Sequence, residues 1–226
     1  MIFFDIDDTL VTHSRAQNQA ALLFWEAFAD RLPHTRQEFP AVWDAVMQAH
    51  FAAFAVGQIT FEEHRLRRMR EIFGFPLSED EAGRLFTVYL RHYEENWALF
   101  EDVLPCLDAL RSYRLGIISN GNGRQQRRKL ERLGIAGRFG VIVISEEVGA
   151  WKPDPAIFLE ACRRAGTALS ECVYVGDSLT TDAQASRAAG MHGVWLNRRS
   201  LPGTAVSMLS NLEELTDFIK TNRERR

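Results

Sequence analysis

The chain has 226 residues, 46% of them apolar and 25% charged, with a net charge of −3. This is the composition of a soluble globular protein with a sizeable core, and its mild acidity gives no reason to expect nucleic acid or an anionic membrane as a partner. Three scattered cysteines, Cys106, Cys162 and Cys172, lack zinc-like or redox-like spacing, no apolar run reaches the roughly 20 residues that cross a bilayer, and no signal peptide is visible; a reducing cytoplasm is the expected setting.

The opening "MIFFDIDDTL" begins as a strand, MIFF, and runs straight into Asp5, Asp7 and Asp8. Like charges repel, and a buried unpaired carboxylate costs roughly several kcal/mol, so something must hold that cluster. From about Arg15 to Asn96 the chain carries Ala, Phe, Leu, Trp and Arg at helical spacing, as in "NQAALLFWEAFADRL" and "FEEHRLRRMREIFG". A further helix, "LSEDEAGRLFTVYLRHYEENW", starts behind a Ser78 cap. Strand "RLGIIS" (114–119) follows, then helix "GRQQRRKLERLG" with Leu130 and Leu133 inward and its basic residues in solvent. Next come strand "GVIVIS" (140–145), helix "DPAIFLEACRRAG", strand "ECVYVGD" (171–177), helix "TTDAQASRAAG", strand "GVWLN" (193–197) and helix "NLEELTDFIKT".

Continuous Val/Ile/Leu runs alternating with helices predict an α/β fold: a Rossmann-like parallel sheet with helices on both faces. The expected division is a core from residues 1–14 and 97–226, with an all-helical domain, 15–96, inserted after the first strand.

In open parallel sheets, ligands bind beyond the carboxyl ends of the strands. The polar residues fall there: Asp5 and Asp7 after the first strand, then Ser119, Asn120 and Gly121, then Glu146, Glu147 and Lys152, then Asp177, Ser178 and Asp182. Carboxylates from different strands can share a site around a cation, and Mg²⁺, which takes oxygen ligands, suits them. The serine, the lysine and the backbone N–H groups of the Ser119–Asn120–Gly121 turn suit a phosphoryl group. Together these point to phosphoryl transfer, with one carboxylate as nucleophile and a second as acid and base.

"DIDDT", Ser119 after an apolar strand, Lys152 in "WKPDPAIF" and "GDSLTTD" together resemble the haloacid dehalogenase (HAD) superfamily, and the likeness covers essentially the whole chain. The inserted helices match the branch with a helical cap. The resemblance implies that Asp5 is the nucleophile and Asp7 the acid/base. It implies a Mg²⁺ ion held by Asp5, Asp177 and the Asp7 carbonyl, with Asp182 supporting the metal or Lys152. Ser119, Asn120 and Lys152 would hold the phosphoryl oxygens, and Thr9 would brace the first loop. An acid at Asp7 fits an alkoxide leaving group, whereas dehalogenases of the superfamily lack a carboxylate there.

The expected activity is that of a phosphoric monoester hydrolase acting on a small phosphorylated metabolite, as monomer or homodimer. "GQITFEEHRLRRMREIFG", "ISEEVG" and "RRKLERLGI" look like the nucleotidase branch, which makes a nucleoside 5′-monophosphate one candidate. A phosphomutase, a haloacid dehalogenase or a non-catalytic binding protein on the same scaffold are the alternatives. Several residues also have plain structural readings. Ser119 could be a helix N-cap, Asp8 a solvent-facing bystander, and Glu146 and Glu147 surface or loop residues.

Overall fold

The computed structural model describes residues 1–55, 57–203 and 206–224. The chain divides into two compact units, one formed by Met1–Thr12 with the chain from Ala98 onward, the other by His13–Trp97.

In chain order, strand β1 (Ile2–Phe4) comes first. Four helices follow: α1 (His13–Phe28), α2 (Phe39–Ala55), α3 (Phe61–Phe73) and α4 (Glu79–Glu95). After α5 (Val103–Ala109) the remaining strands alternate with helices: β2 (Leu115–Ser119), α6 (Gly123–Arg132), β3 (Val141–Ile144), the helical turn α7 (Ser145–Val148), α8 (Pro155–Ala165) and β4 (Val173–Gly176). A π-helical turn at Leu179–Gln184 runs into α9 (Ala185–Ala188), and β5 (His192–Leu196), β6 (Ser207–Leu209) and α10 (Leu215–Glu224) complete the chain.

The six strands among the described residues form one parallel sheet in the order β3-β2-β1-β4-β5-β6. The first strand of the chain is therefore central: Phe4 pairs with Ile117 on one side and Val175 on the other. Alternation along β1 divides the core. Ile2 and Phe4 join Leu107 of α5, Leu130 of α6 and Leu215 of α10 on one face. Phe3 joins Phe158 and Ala161 of α8 and Ala185 of α9 on the other. A sheet buried on both faces explains why its strands read as unbroken apolar runs. Strand β6 was not legible in the sequence. It is a three-residue edge strand with Ser207 and Met208 exposed, so it has no apolar run to signal it. The chain order reverses between β1 and β4, which opens a crevice at the carboxyl ends of these two strands.

The helical unit is held by aromatic packing. Phe24 of α1 meets Phe39 and Trp43 of α2, Phe73 of α3 and Tyr89 of α4. Trp43 and Tyr89 lie 4.1 Å apart between ring centroids, and the Arg68 guanidinium sits 4.9 Å from the Trp43 ring. Thr60 and Glu63 form a reciprocal capping box at the start of α3, and Gly74 ends that helix in the left-handed region, φ 69°. Ser78 caps α4 by accepting from Glu81 N.

All three cysteines are free and buried. Cys162 and Cys172 nevertheless bring their sulfurs within 3.5 Å of each other, a proximity that ten residues of separation do not announce. No helix among the described residues is long and apolar enough to cross a membrane.

Candidate active site

Asp5 follows β1 directly and continues its ladder, donating its backbone N–H to Val175 O at 2.9 Å. This fixes the side chain in the crevice, 6% exposed. The chain then turns sharply. Asp8 adopts a positive φ of 54°, a conformation that Asp tolerates better than most residues, and its N–H bonds to Val11 O. Asp8 is half-buried rather than fully solvent-facing, and it sits in the turn between Asp7 and Thr9. Thr9 is fully buried. Its hydroxyl accepts from Asp177 N at 3.0 Å, so it ties the loop after β1 to the loop after β4. From the other side Trp195 donates its indole N–H to Asp177 O at 2.9 Å.

Lys152 and Asp182 lie beneath these loops. Lys152 Nζ is 2.8 Å from Asp5 Oδ1 and 2.6 Å from Asp182 Oδ1, and it donates to the Tyr174 hydroxyl at 2.9 Å. Burial alone would push the lysine pKa down, but Asp182 and Asp5 outweigh it and raise the value above the ordinary range. Asp182 also accepts from Ser178 N at 3.0 Å. The π-helical turn carries this aspartate into the interior, where it is 1% exposed. Tyr174, on β4, completes the network by donating to Ile118 O at 2.8 Å. Its own role was not visible in the sequence, because a tyrosine within "CVYVG" reads as a strand residue.

Burial is the main reason that the Asp5 pKa rises to about 6; Lys152 opposes the shift, while Asp182 and Asp7 add to it. Asp177 rises further, to about 8, through burial first and then its neighbours Asp5, Asp182 and Asp8. Carboxylate oxygens of Asp5, Asp177 and Asp182 all lie within 4.8 Å of one another. The three acids share one cation, Lys152, which pairs with Asp5 and Asp182, so they form an oxygen-rich set with more negative charge than the lysine offsets. That set fits a hard divalent cation.

On the other side of the crevice, β2 ends at Ser119, which is 1% exposed. Ser119 is not a helix N-cap. The cap of α6 is Asn122, which accepts from Gln125 N, and α6 starts only at Gly123. The turn also offers fewer free N–H groups than its sequence suggests: Gly121 N donates to Ser145 Oγ at 2.9 Å and Gly123 N to the Glu146 carboxylate at 2.8 Å. Asn120 spends its side chain on Lys152, accepting from the lysine N–H at 2.8 Å and donating to its carbonyl at 3.0 Å. The amide thereby locks the loop after β2 to the loop that carries the lysine. Glu146 braces the start of α6, and Glu147 pairs with Arg127 at 2.7 Å; both are exposed.

Asp7 is met from α6. Lys129 Nζ lies 2.5 Å from Asp7 Oδ1, and Gln126 Nε2 donates to Asp7 Oδ2 at 2.9 Å. The expectation that the basic residues of this helix lie in solvent is wrong for Lys129, which is 1% exposed. Lys129 shares a helix face with Gln126, Leu130 and Leu133, and a charge inside an apolar stripe signals a partner in the interior.

The structure therefore brings Asp5, Asp7, Thr9, Ser119, Asn120, Lys152, Asp177 and Asp182 into one connected cluster at the carboxyl ends of β1, β2 and β4. A family model of haloacid dehalogenase-like hydrolases matches residues 1–190. A glyceraldehyde 3-phosphate phosphatase from Methanopyrus kandleri is 46% identical over 87% of this chain and 83% of its own length. A pyrimidine 5′-nucleotidase from Escherichia coli is 29% identical over 95% of this chain and 96% of its own. Among solved structures, the HAD-hydrolase YfnB from Bacillus subtilis, bound to magnesium, superposes with a TM-score of 0.79 at 26% identity, covering 96% of this chain and 97% of that one. A 2-haloacid dehalogenase from Pseudomonas syringae superposes at 0.72 with 29% identity, covering 97% of each. The chain is a member of the haloacid dehalogenase-like hydrolases.

Proposed function

We propose that this hydrolase is a Mg²⁺-dependent phosphatase that cleaves a small phosphomonoester through an aspartyl-phosphate on Asp5. The observation that carries the reading is the pair of aspartates two residues apart. Asp5 is buried against Lys152, and Asp7 is a second carboxylate with its side chain 27% exposed and both oxygens held by donors. The two environments suit two tasks, covalent attack and proton transfer.

In this mechanism an Asp5 oxygen attacks phosphorus as the bond to the leaving oxygen breaks, and Asp7 gives that oxygen a proton. Water then attacks the same phosphorus while Asp7 takes back a proton. Phosphate departs and Asp5 is restored. Lys152 and the Ser119 hydroxyl would hold the phosphoryl oxygens that are not transferred. Asn120 contributes through the lock it places on Lys152, and Asp182 and Tyr174 fix the ammonium from below. Asp5, Asp177 and the Asp7 carbonyl would hold Mg²⁺, which when bound supplies positive charge against the phosphoryl group. Asp182 supports from one step away, since its two oxygens already serve Lys152 and Ser178 N.

The carboxyl group of Asp7 favours this reading over dehalogenation, because departing halide needs no proton whereas an alkoxide does. The named phosphatase and nucleotidase relatives act on glyceraldehyde 3-phosphate and pyrimidine nucleotides, both of them small phosphomonoesters. This supports the class of substrate, and glyceraldehyde 3-phosphate heads the panel to test.

Asp5→Asn is expected to lower hydrolysis of 4-nitrophenyl phosphate by about a thousand-fold or more with an unchanged circular dichroism spectrum, and excess EDTA to stop the wild-type enzyme. Near-normal turnover in the variant would overturn the nucleophile, and turnover persisting in EDTA would overturn the metal.

A further inference from the structure

Lys129 is a buried ammonium outside the sequence motifs of the site. It lies 2.5 Å from Asp7 Oδ1, and Gln126, also buried, reaches Asp7 Oδ2 at 2.9 Å. The two residues are three apart on α6, so they project from neighbouring turns of one helix face. Each holds one oxygen of the same carboxylate. Gln126 Nε2 also lies 3.2 Å from Ser119 Oγ and 3.0 Å from Asn120 O. One helix thus touches both the acid/base loop and the loop after β2.

An aspartate on a turn is free to rotate about its side-chain bonds, and a misplaced proton donor loses much of its value. A carboxylate gripped at both oxygens from a rigid element is not free to rotate. An ammonium is buried only where a partner repays its lost hydration, and here that partner is Asp7. We infer that Lys129 is a positioning residue for Asp7: it fixes the orientation in which this carboxyl group exchanges a proton with the leaving oxygen, and Gln126 holds the second oxygen. The inference rests on the phosphatase reading given above.

A role confined to holding α6 against the loop would lower stability and depress every substrate alike. A positioning role has a different signature. It matters most where the leaving group depends on protonation, and least where it departs readily as an anion. The test measures kcat and KM for 4-nitrophenyl, phenyl and 4-methoxyphenyl phosphate with Mg²⁺, in the full-length wild type, Lys129→Met and Lys129→Gln. For Lys129→Met we expect kcat/KM to fall about tenfold or more on the phenyl and 4-methoxyphenyl esters, but within about threefold on the 4-nitrophenyl ester, with KM little changed. Equal losses across the three esters, or no loss, overturn the inference. Lys129→Gln is too short to reach Asp7 and must show the same slope, so it decides the matter if Lys129→Met does not fold. A wild type that hydrolyses none of the esters defeats the phosphatase reading itself. A wild type that hydrolyses them beside a flat Lys129→Met profile defeats the positioning role alone.

Discussion

Asp177 shows how strongly single residues depend on their neighbours here. Its pKa rises to about 8 and that of Asp5 to about 6, from an ordinary 3.8, chiefly through burial. Without a cation, the folded protein therefore keeps protons that the unfolded chain has already released between about pH 4 and 8. The unfolded state binds fewer protons in that window, so the stability of the metal-free protein falls as pH rises through it. Mg²⁺ binds the ionised carboxylates, and its stabilising effect should be larger at pH 8 than at pH 6. Thermal unfolding with and without Mg²⁺ at the two values checks this, and equal shifts in Tm would contradict it. Asp5, Asp7, Lys152 and Asp177 were legible in the sequence because each follows an apolar strand or a distinctive turn. Lys129 was not, although its place beside Leu130 on the inward face held the clue. Gln126 and Tyr174 carry no such mark, because a polar residue in a helix or a tyrosine in a strand has too many ordinary uses.

At the scale of elements, close approach decides where the site can be built. A Cβ added at Gly193 of β5 would run into the carbonyl of Ala183, which lies in the π-helical turn that carries Asp182. Only a glycine lets that turn settle on the strand. Gly193→Ala should cost about 2–3 kcal/mol of stability, read by urea denaturation, and should lower activity as Asp182 shifts from Lys152. Full activity and stability would show that the turn can move aside. The elements themselves were largely foretold by their periodicity, with boundaries trimmed by a few residues. The start of α6 at Gly123 was foretold as well, but its cap was not: Asn122 caps it, three residues after Ser119, while Gly121 and Gly123 bond to Ser145 and Glu146.

At the scale of the whole molecule, a buried ion pair joins distant parts of the chain within the sheet-bearing unit. Arg198 grips both oxygens of Asp102 at 2.8 and 2.9 Å and donates to Thr9 O at 2.9 Å, while Leu212 N donates to Asp102 at 2.8 Å. The Arg198 guanidinium also lies 3.9 Å from the Phe100 ring. Removing one partner leaves a buried charge unmatched, so Arg198→Met should cost about 3 kcal/mol. Combining it with Asp102→Asn should cost little more than the worse single change, since both remove the same contact. Additive losses in the double variant would show that the two side chains act independently. Nothing in the spacing of residues 9, 102, 198 and 212 advertises this link, because long-range pairing leaves no periodicity to read.

The central place of β1 also has a consequence for synthesis. The strand that bears Asp5 is made before its two neighbours, β2 and β4, which begin only at Leu115 and Val173. At roughly 5–20 residues per second, the opening segment waits on the order of ten seconds or more for both. Meanwhile the contacts within residues 13–97 close among themselves. An apolar strand tipped with acids is less ready to pair wrongly during that interval than a bare one, because mutual repulsion discourages two nascent copies from lining up. The carboxylates placed for chemistry in the finished protein would thus also guard the strand before its partners exist.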